Sequence, residues 1–251
     1  MVPLTTLTEY LDNYLNVAGV ADDRRALNGL QVENSGSVER VAVAVDACQA
    51  AIDGAAALGA DFLLVHHGLF WAGLERIVGR HARRVRALIA HDIALYGAHI
   101  PLDCHPDVGN NAVLARDLGL RDAEWIGDYD GVSICVAGDL ETTRGELVAR
   151  LAERLHTTPH VVATGPDAVR RVAIVTGAGS SMLAAAREAG VDTFITGEGP
   201  HHVYFDAEES GMNLILAGHY ATETVGVQAL ARHLEEKFGL PWSFIDHPTG
   251  M

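Results

Sequence analysis

Six residues of this chain carry imidazole or carboxylate groups at spacings that suit a transition-metal site: His66, His67, His99, Asp103, His219 and Glu223. His66 and His67 are adjacent at the end of the apolar run Leu63-Leu64-Val65. His99 and His219 each close another apolar run, and each is followed four residues on by an acid, Asp103 and Glu223. Imidazole together with carboxylate suits divalent Zn, Fe, Mn, Ni or Co, whereas calcium takes oxygen ligands alone. Six donors exceed what one tetrahedral ion takes but suit two ions that share a carboxylate. Glu223 is the candidate bridge, since a carboxylate spans two ions and an imidazole does not. Two such ions activate a water and polarise a substrate oxygen.

His66 and His67 close the first of two copies of one strand–helix–strand unit, which align without a gap from Arg40/Arg171 to Gly68/Gly199, and each copy is followed by an apolar run that ends in one of the His-x-x-x-acid pairs. Each donor also has a plainer reading. A histidine at a strand end is more often a hydrogen-bonded structural residue, and Asp103 and Glu223 could simply cap the helices that follow them. Two adjacent imidazoles among Leu, Val, Phe and Trp are costly to bury without partners. The repetition of His-x-x-x-acid at matching places in both copies shifts the balance further towards a metal. Glu198, at the place of His67 in the second copy, is a candidate third carboxylate or proton carrier. His201, His202 and His105 are weaker candidates for substrate or outer contacts, set against an ordinary surface helix start for the first two. His81, His91, His156, His160, His233 and His247 join no constellation. Thr176-Gly-Ala-Gly-Ser-Ser181 is Gly-rich between a strand and a helix and could receive an anion on backbone N–H groups. It lacks the dinucleotide pattern and the P-loop lysine.

The elements that must position these groups alternate. A helix is expected over residues 4–19, from Leu7, Tyr10, Leu11, Tyr14 and Leu15. Asn28–Glu33 reads as a turn into a short strand, and 41–45 as a strand buried on both faces. Helix 49–58, strand 62–65, helix 80–91, strand 93–97 and helix 110–118 follow. The order returns as strand 172–176, helix 181–189, strand 193–196, helix 201–210, strand 213–217 and helix 223–238, with Trp242–Asp246 as a closing strand. Between them, 133–137 and 160–163 read as strands around a helix at 144–155. The division expected is 1–124 and 167–251 as related repeats, with a connecting segment at 125–166 that either completes one sheet or forms a connecting lobe. The fold is therefore α/β: two related, interlocking halves with mostly parallel sheets, and a dinuclear metal site at the carboxyl ends of strands between them.

With 251 residues, 49% of them hydrophobic, the chain can bury a substantial core. Its 18 Lys+Arg against 33 Asp+Glu give a net charge of −15, which argues against a protein that coats nucleic acid. Arg80, Arg83, Arg84 and Arg86 cluster in one helical stretch and read as a solvated face. Cys48, Cys104 and Cys135 form no Cys-x-x-Cys, which excludes a thiolate zinc site and suits a reducing compartment. No apolar stretch approaches the roughly 20 residues of a membrane span. The N-terminus lacks the pattern of a signal peptide, so a cytoplasmic location is expected.

The segments Asn28-Gly-Leu-Gln-Val, Val65-His-His-Gly, His99-Ile-Pro-Leu-Asp103, Gly109-Asn-Asn, Thr196-Gly-Glu and Gly218-His-Tyr-Ala-Thr-Glu223 together resemble the Nif-three-like family, also catalogued as GTP cyclohydrolase 1 type 2 homologs. The resemblance covers nearly the whole chain, in a short form without a large insertion between the halves. It implies a dinuclear metal centre and a homohexameric ring. One ion would be held by His67, Asp103 and Glu223, the other by His66, His219 and the same Glu223, with His99 matching the pattern in place. The catalogue name implies opening of the guanine imidazole ring of GTP. Two functions follow. The first is a dinuclear-metal-dependent hydrolase, of GTP cyclohydrolase or phosphoesterase type, acting on a nucleotide-like small molecule. The alternative is a non-catalytic hexameric metal-binding scaffold or regulatory partner.

Overall fold

The computed structural model describes residues 1–251 except Ala72 and Leu74. They form two compact units, Met1–Val108 with Val227–His247 and Gly109–Gly226 with Pro248–Met251.

The first unit opens with β1 (Val2–Pro3) and α1 (Leu4–Tyr14), followed by β2 (Gly29–Val32), β3 (Ser37–Val38) and β4 (Val41–Asp46). Then come α2 (Gln49–Ala57), β5 (Phe62–His67), α3 (Gly79–Ala90), β6 (Ala94–Gly97) and the single turn α4 (Ile100–Asp103). The helix expected over 4–19 stops at Tyr14 because Asn16 takes a left-handed conformation at φ 51, which helices do not continue through. β4, β5 and β6 pair in parallel, with β2 antiparallel at the edge beyond β6. Val41 and Val43 face a core that includes Leu7 and Leu11 of α1, while Ala42 and Ala44 face Ala51, Ile52 and Ala55 of α2. Both faces are thus covered, which is why the strand reads as an unbroken apolar run.

The second unit contains α5 (Asn110–Leu118), β7 (Arg121–Tyr129), β8 (Val132–Thr143), α6 (Arg144–Leu155), β9 (His160–Ala163) and β10 (Ala168–Val175). A 3-10 turn at Gly179–Met182 leads to α7 (Leu183–Glu188), β11 (Thr193–Thr196), α8 (Val203–Ser210) and β12 (Asn213–Leu216). Its sheet runs β7-β8-β10-β11-β12-β9, with the central trio β10-β11-β12 parallel. α9 (His219–Phe238) then carries the chain from the second unit back into the first, where β13 (Trp242–Phe244) joins β4 in parallel.

The unit boundaries therefore differ from the sequence divisions at 124 and 167. Of the two readings of 125–166, the strand pairing matches the completion of a sheet: β7 and β8 extend the second sheet through β10, and β9 closes its other edge. β7 itself has no counterpart in the sequence reading. Its first residues are exposed and polar, so they carry no apolar alternation to announce a strand.

The repeat is visible in hydrogen-bond register. Val41 pairs with Phe62 and Val172 with Thr193, positions that the sequence alignment already equates. The third strands refine that match. Phe62 pairs with Ala94 and Thr193 with Asn213, so the Ala98 N–H donates to Val65 O as the Ala217 N–H donates to Thr196 O. By register His99 corresponds to Gly218, and His219 lies one residue further on. The expectation that the two His-x-x-x-acid pairs occupy the same place is thus corrected by one residue. His99 precedes a single-turn helix, whereas His219 is the first residue of α9.

Candidate functional site

In the first unit the donors gather at the carboxyl end of β5. His66 is fully buried, and its Nδ1 lies 2.8 Å from the carbonyl oxygen of Ala98. His67 Nδ1 lies 2.9 Å from Asp46 Oδ1, at the register position directly across from it on β4. His99 Nδ1 lies 2.7 Å from Asp22 Oδ1. One ring nitrogen from each of His66, His67 and His99 falls within 4.8 Å of the others. Asp103, buried on α4, places Oδ2 3.5 Å from His66 Nε2.

Asp22 is the anchor of this arrangement. Its carboxylate also accepts the Ile100 N–H at 3.1 Å and Asn28 Nδ2 at 2.7 Å, while Asn28 Oδ1 accepts the His99 N–H at 2.8 Å. Burial favours the neutral acid, but the hydrogen bond from His99, with those from Asn28 and the Asp23 N–H, outweighs it and holds the carboxyl below its usual range. Gln31 completes the Asn28-Gly-Leu-Gln motif by accepting the Leu69 N–H at 2.7 Å, which fixes the start of the loop after His67.

In the second unit α9 places His219 and Glu223 one turn apart on one face, with Nε2 3.2 Å from Glu223 Oε1. His219 Nδ1 lies 2.8 Å from Glu198 Oε1. The hydrogen bond to buried Glu223 outweighs desolvation and, with Glu198, pushes the His219 pKa up to about 9. Two glycines make the room. Gly177 has φ +63, and a Cβ there would collide with the Glu223 carboxylate. A Cβ at Gly197 would sit 2.6 Å from Gly177 O and 2.8 Å from His219 Cα.

Two amides of the Gly-rich loop that could have received an anion are used within the fold instead. The Gly177 N–H donates to Thr222 Oγ1 at 3.0 Å and the Gly179 N–H to Thr196 Oγ1 at 3.1 Å, so these amides are taken up within the fold. Glu198 acts on His219 as its hydrogen-bond acceptor. His105 is built into the α1 region, with Nε2 3.1 Å from Tyr14 O and Nδ1 accepting the Asp107 and Val108 N–H groups. His201 and His202 are exposed before α8 and join no metal-type cluster among the described residues. The Gly109-Asn-Asn motif is structural: Asn110 Oδ1 accepts the Gly226 N–H, and Asn111 bridges the Thr176 N–H and Ile134 O, each at 2.7 Å.

Asp22 and Asp46 were not singled out from the sequence. Asp46 left a trace, since it ends an apolar strand parallel to the one that ends in His67. Asp22 left none, because an acid in the loop between a helix and a strand is ordinary.

The donor set fits a divalent transition metal. Carboxylates and a carbonyl only accept, so all four histidines must carry their proton on Nδ1, which leaves Nε2 as the coordinating atom. Two ligands on a tetrahedral ion, each at roughly 2.0–2.1 Å, lie about 3.3 Å apart. The His219–Glu223 separation of 3.2 Å is close to that distance. The three cysteines are free and lie outside the donor clusters, and no described helix is long and apolar enough to cross a membrane.

The family model described as Duf34/NIF3 (NGG1p interacting factor 3) matches residues 2–249. A protein of Deinococcus radiodurans named GTP cyclohydrolase 1 type 2 homolog is 43% identical over 247 residues, covering 98% of this chain and 93% of that one. One of the same name from Pyrococcus abyssi is 44% identical, covering 98% of each. The crystal structure of TTHA1606 from Thermus thermophilus superposes with a TM-score of 0.90 at 44% identity, covering 100% of both chains.

Proposed function

The chain belongs to the Duf34/NIF3 family, and from that membership we propose that it is a dinuclear-metal-dependent hydrolase acting on a nucleotide-like small molecule. The observation that carries the reading is the common state of His66, His67, His99 and His219, each with Nδ1 held by an oxygen, so that Nε2 is the ring nitrogen a metal would take. In this proposal His67, Asp103 and Glu223 hold one ion, and His66, His219 and Glu223 hold the other. His99, aligned by Asp22, stands beside the first group.

When bound, two divalent ions supply Lewis-acid polarisation and an activated water. The chain's own part is orientation. Asp46, Asp22, Glu198 and the Ala98 carbonyl fix the ring planes and tautomers, so the donors need little reorganisation on metal uptake. The curated relatives' name, GTP cyclohydrolase 1 type 2 homolog, supports a nucleotide substrate. The family description names an interacting factor instead, which favours the second reading of a metal-binding scaffold or regulatory partner. In either case we propose assembly as a homohexamer, and a monomer mass in light scattering would refute it.

Elemental analysis of chelator-free protein should find about two equivalents of transition metal per chain, lost in Glu223→Ala, as expected for a bridging carboxylate. One equivalent or none in the wild type would sink the dinuclear reading. The hydrolase reading expects formate released from GTP, or phosphate from a nucleotide, by Zn-, Mn- or Fe-loaded protein. Metal-loaded protein that releases neither across a panel of nucleotides and phosphoesters would leave the scaffold reading in its place.

A further inference from the structure

Four residues after His67, in the loop that follows β5, Trp71 stands half-buried against the donors. Its indole lies 4.7 Å from His99 between ring centroids, at an interplanar angle of 84°, and 5.7 Å from His67 at 81°. The preceding Phe70 turns the other way and packs edge-on against His81 of α3, at 5.1 Å and 82°. Phe70 therefore fastens the loop to the fold and Trp71 is directed at the donors. The contrast with the core aromatics is clear. Phe62 and Tyr96 are fully buried inside the first unit, whereas Trp71 keeps exposed surface beside two candidate metal ligands.

An indole that only shielded the imidazoles from water could be any bulky apolar group. Two near-perpendicular ring contacts instead fix the attitude of this one against both imidazoles. A flat ring stacked on the indole would share that attitude, at a steep angle to both imidazole planes. Further along the sequence come Arg76 and, on α3, Arg80, Arg83, Arg84 and Arg86, in a chain whose net charge is −15. Among the described residues none of these five arginines is paired with a carboxylate, and Arg76, Arg80, Arg83 and Arg86 are exposed. An aromatic wall followed by unpaired cations suits a ligand with a planar ring and an anionic tail.

We propose that Trp71 is a substrate-contacting residue on which a planar heteroaromatic ring stacks, as part of an anionic nucleotide-class ligand. The inference rests on the metal-centre reading above. The test titrates zinc-loaded wild type, W71A and W71F with GMP, AMP and ribose 5-phosphate by calorimetry, and measures the zinc content of each protein. W71A should weaken GMP or AMP binding roughly 10-fold, with W71F within about 3-fold of wild type, as expected for base–aromatic stacking. Ribose 5-phosphate affinity and zinc content should not change. The inference is overturned if neither purine nucleotide binds the wild type, or if W71A binds them as tightly. It is equally overturned if ribose 5-phosphate weakens as much as the purines do, or if W71A loses its zinc. A wild type that holds no zinc refutes the metal reading beneath it, whereas intact zinc loading with nucleotide binding indifferent to Trp71 refutes this inference alone.

Discussion

Replacing Gly177 by alanine should damage the protein in two separable ways. The residue sits at φ +63, where an L side chain costs about 1–2 kcal/mol. Its new Cβ would also strike the Glu223 carboxylate, which is 3% exposed. Forcing extra volume into such a packed place costs roughly 1–3 kcal/mol, so the total expected loss is about 2–5 kcal/mol. Gly190 supplies the control. It has φ +72 but nothing within 4 Å of an added Cβ, so Gly190→Ala should show the backbone cost alone, about 1–2 kcal/mol. The assay is denaturant unfolding of both metal-free variants alongside calorimetric zinc titration. Gly177→Ala should lose more stability than Gly190→Ala and bind zinc about 10–100-fold more weakly, the usual consequence of misplacing a ligand. Gly190→Ala should bind zinc like the wild type. Equal stability losses and equal zinc affinities in the two variants would refute the claim that Gly177 exists to admit the Glu223 carboxylate.

Three further outcomes follow from the same geometry. Asp46→Ala and Glu198→Ala each remove the acceptor that orients a histidine, and each should weaken metal binding about 10–100-fold while leaving the fold intact by circular dichroism. His219 has its folded pKa raised from 6.5 to about 9, so its pairing with Glu223 stabilises metal-free protein fully below pH 6.5 and is lost as pH rises through 9. At pH 7.5 metal uptake should accordingly release about one proton from His219, falling to about half at pH 9 and towards none above it; calorimetry in buffers of different ionisation enthalpy reads this, and no release at pH 7.5 would contradict it. Asn111→Ala leaves the buried Thr176 N–H and Ile134 O without their partner and should cost about 1–3 kcal/mol for each group in unfolding experiments.

The legible parts of the fold share a physical cause. α5, α6, β9 and β11 fall where the pattern puts them, because buried apolar periodicity and capping are local properties. Thr143 opens α6 with a complete capping box through Glu146, a signal contained within four residues. The exposed strand β7 and the early end of α1 at Asn16 escaped, since one depends on pairing with β8 and the other on a single backbone torsion. The start of α9 at His219 rather than residue 223 also escaped, and it decides that His219 and Glu223 share a helix face.

By itself the sequence determined the chemistry on offer: imidazoles and carboxylates at strand ends, a duplicated strand–helix–strand unit and the family to which the chain belongs. Side-chain type and local periodicity suffice for the first two, and the resemblance of six short motifs to a known family for the third. Only the tertiary structure decided which acids serve the histidines, because Asp22 lies 77 residues from His99, Asp46 lies 21 from His67 and Glu198 lies 21 from His219. It also decided that the two His-x-x-x-acid pairs are one residue out of step, since register is set by ladder hydrogen bonds between strands rather than by spacing along the chain. The donors were written locally, and their orientation was fixed by contacts between segments far apart in the chain.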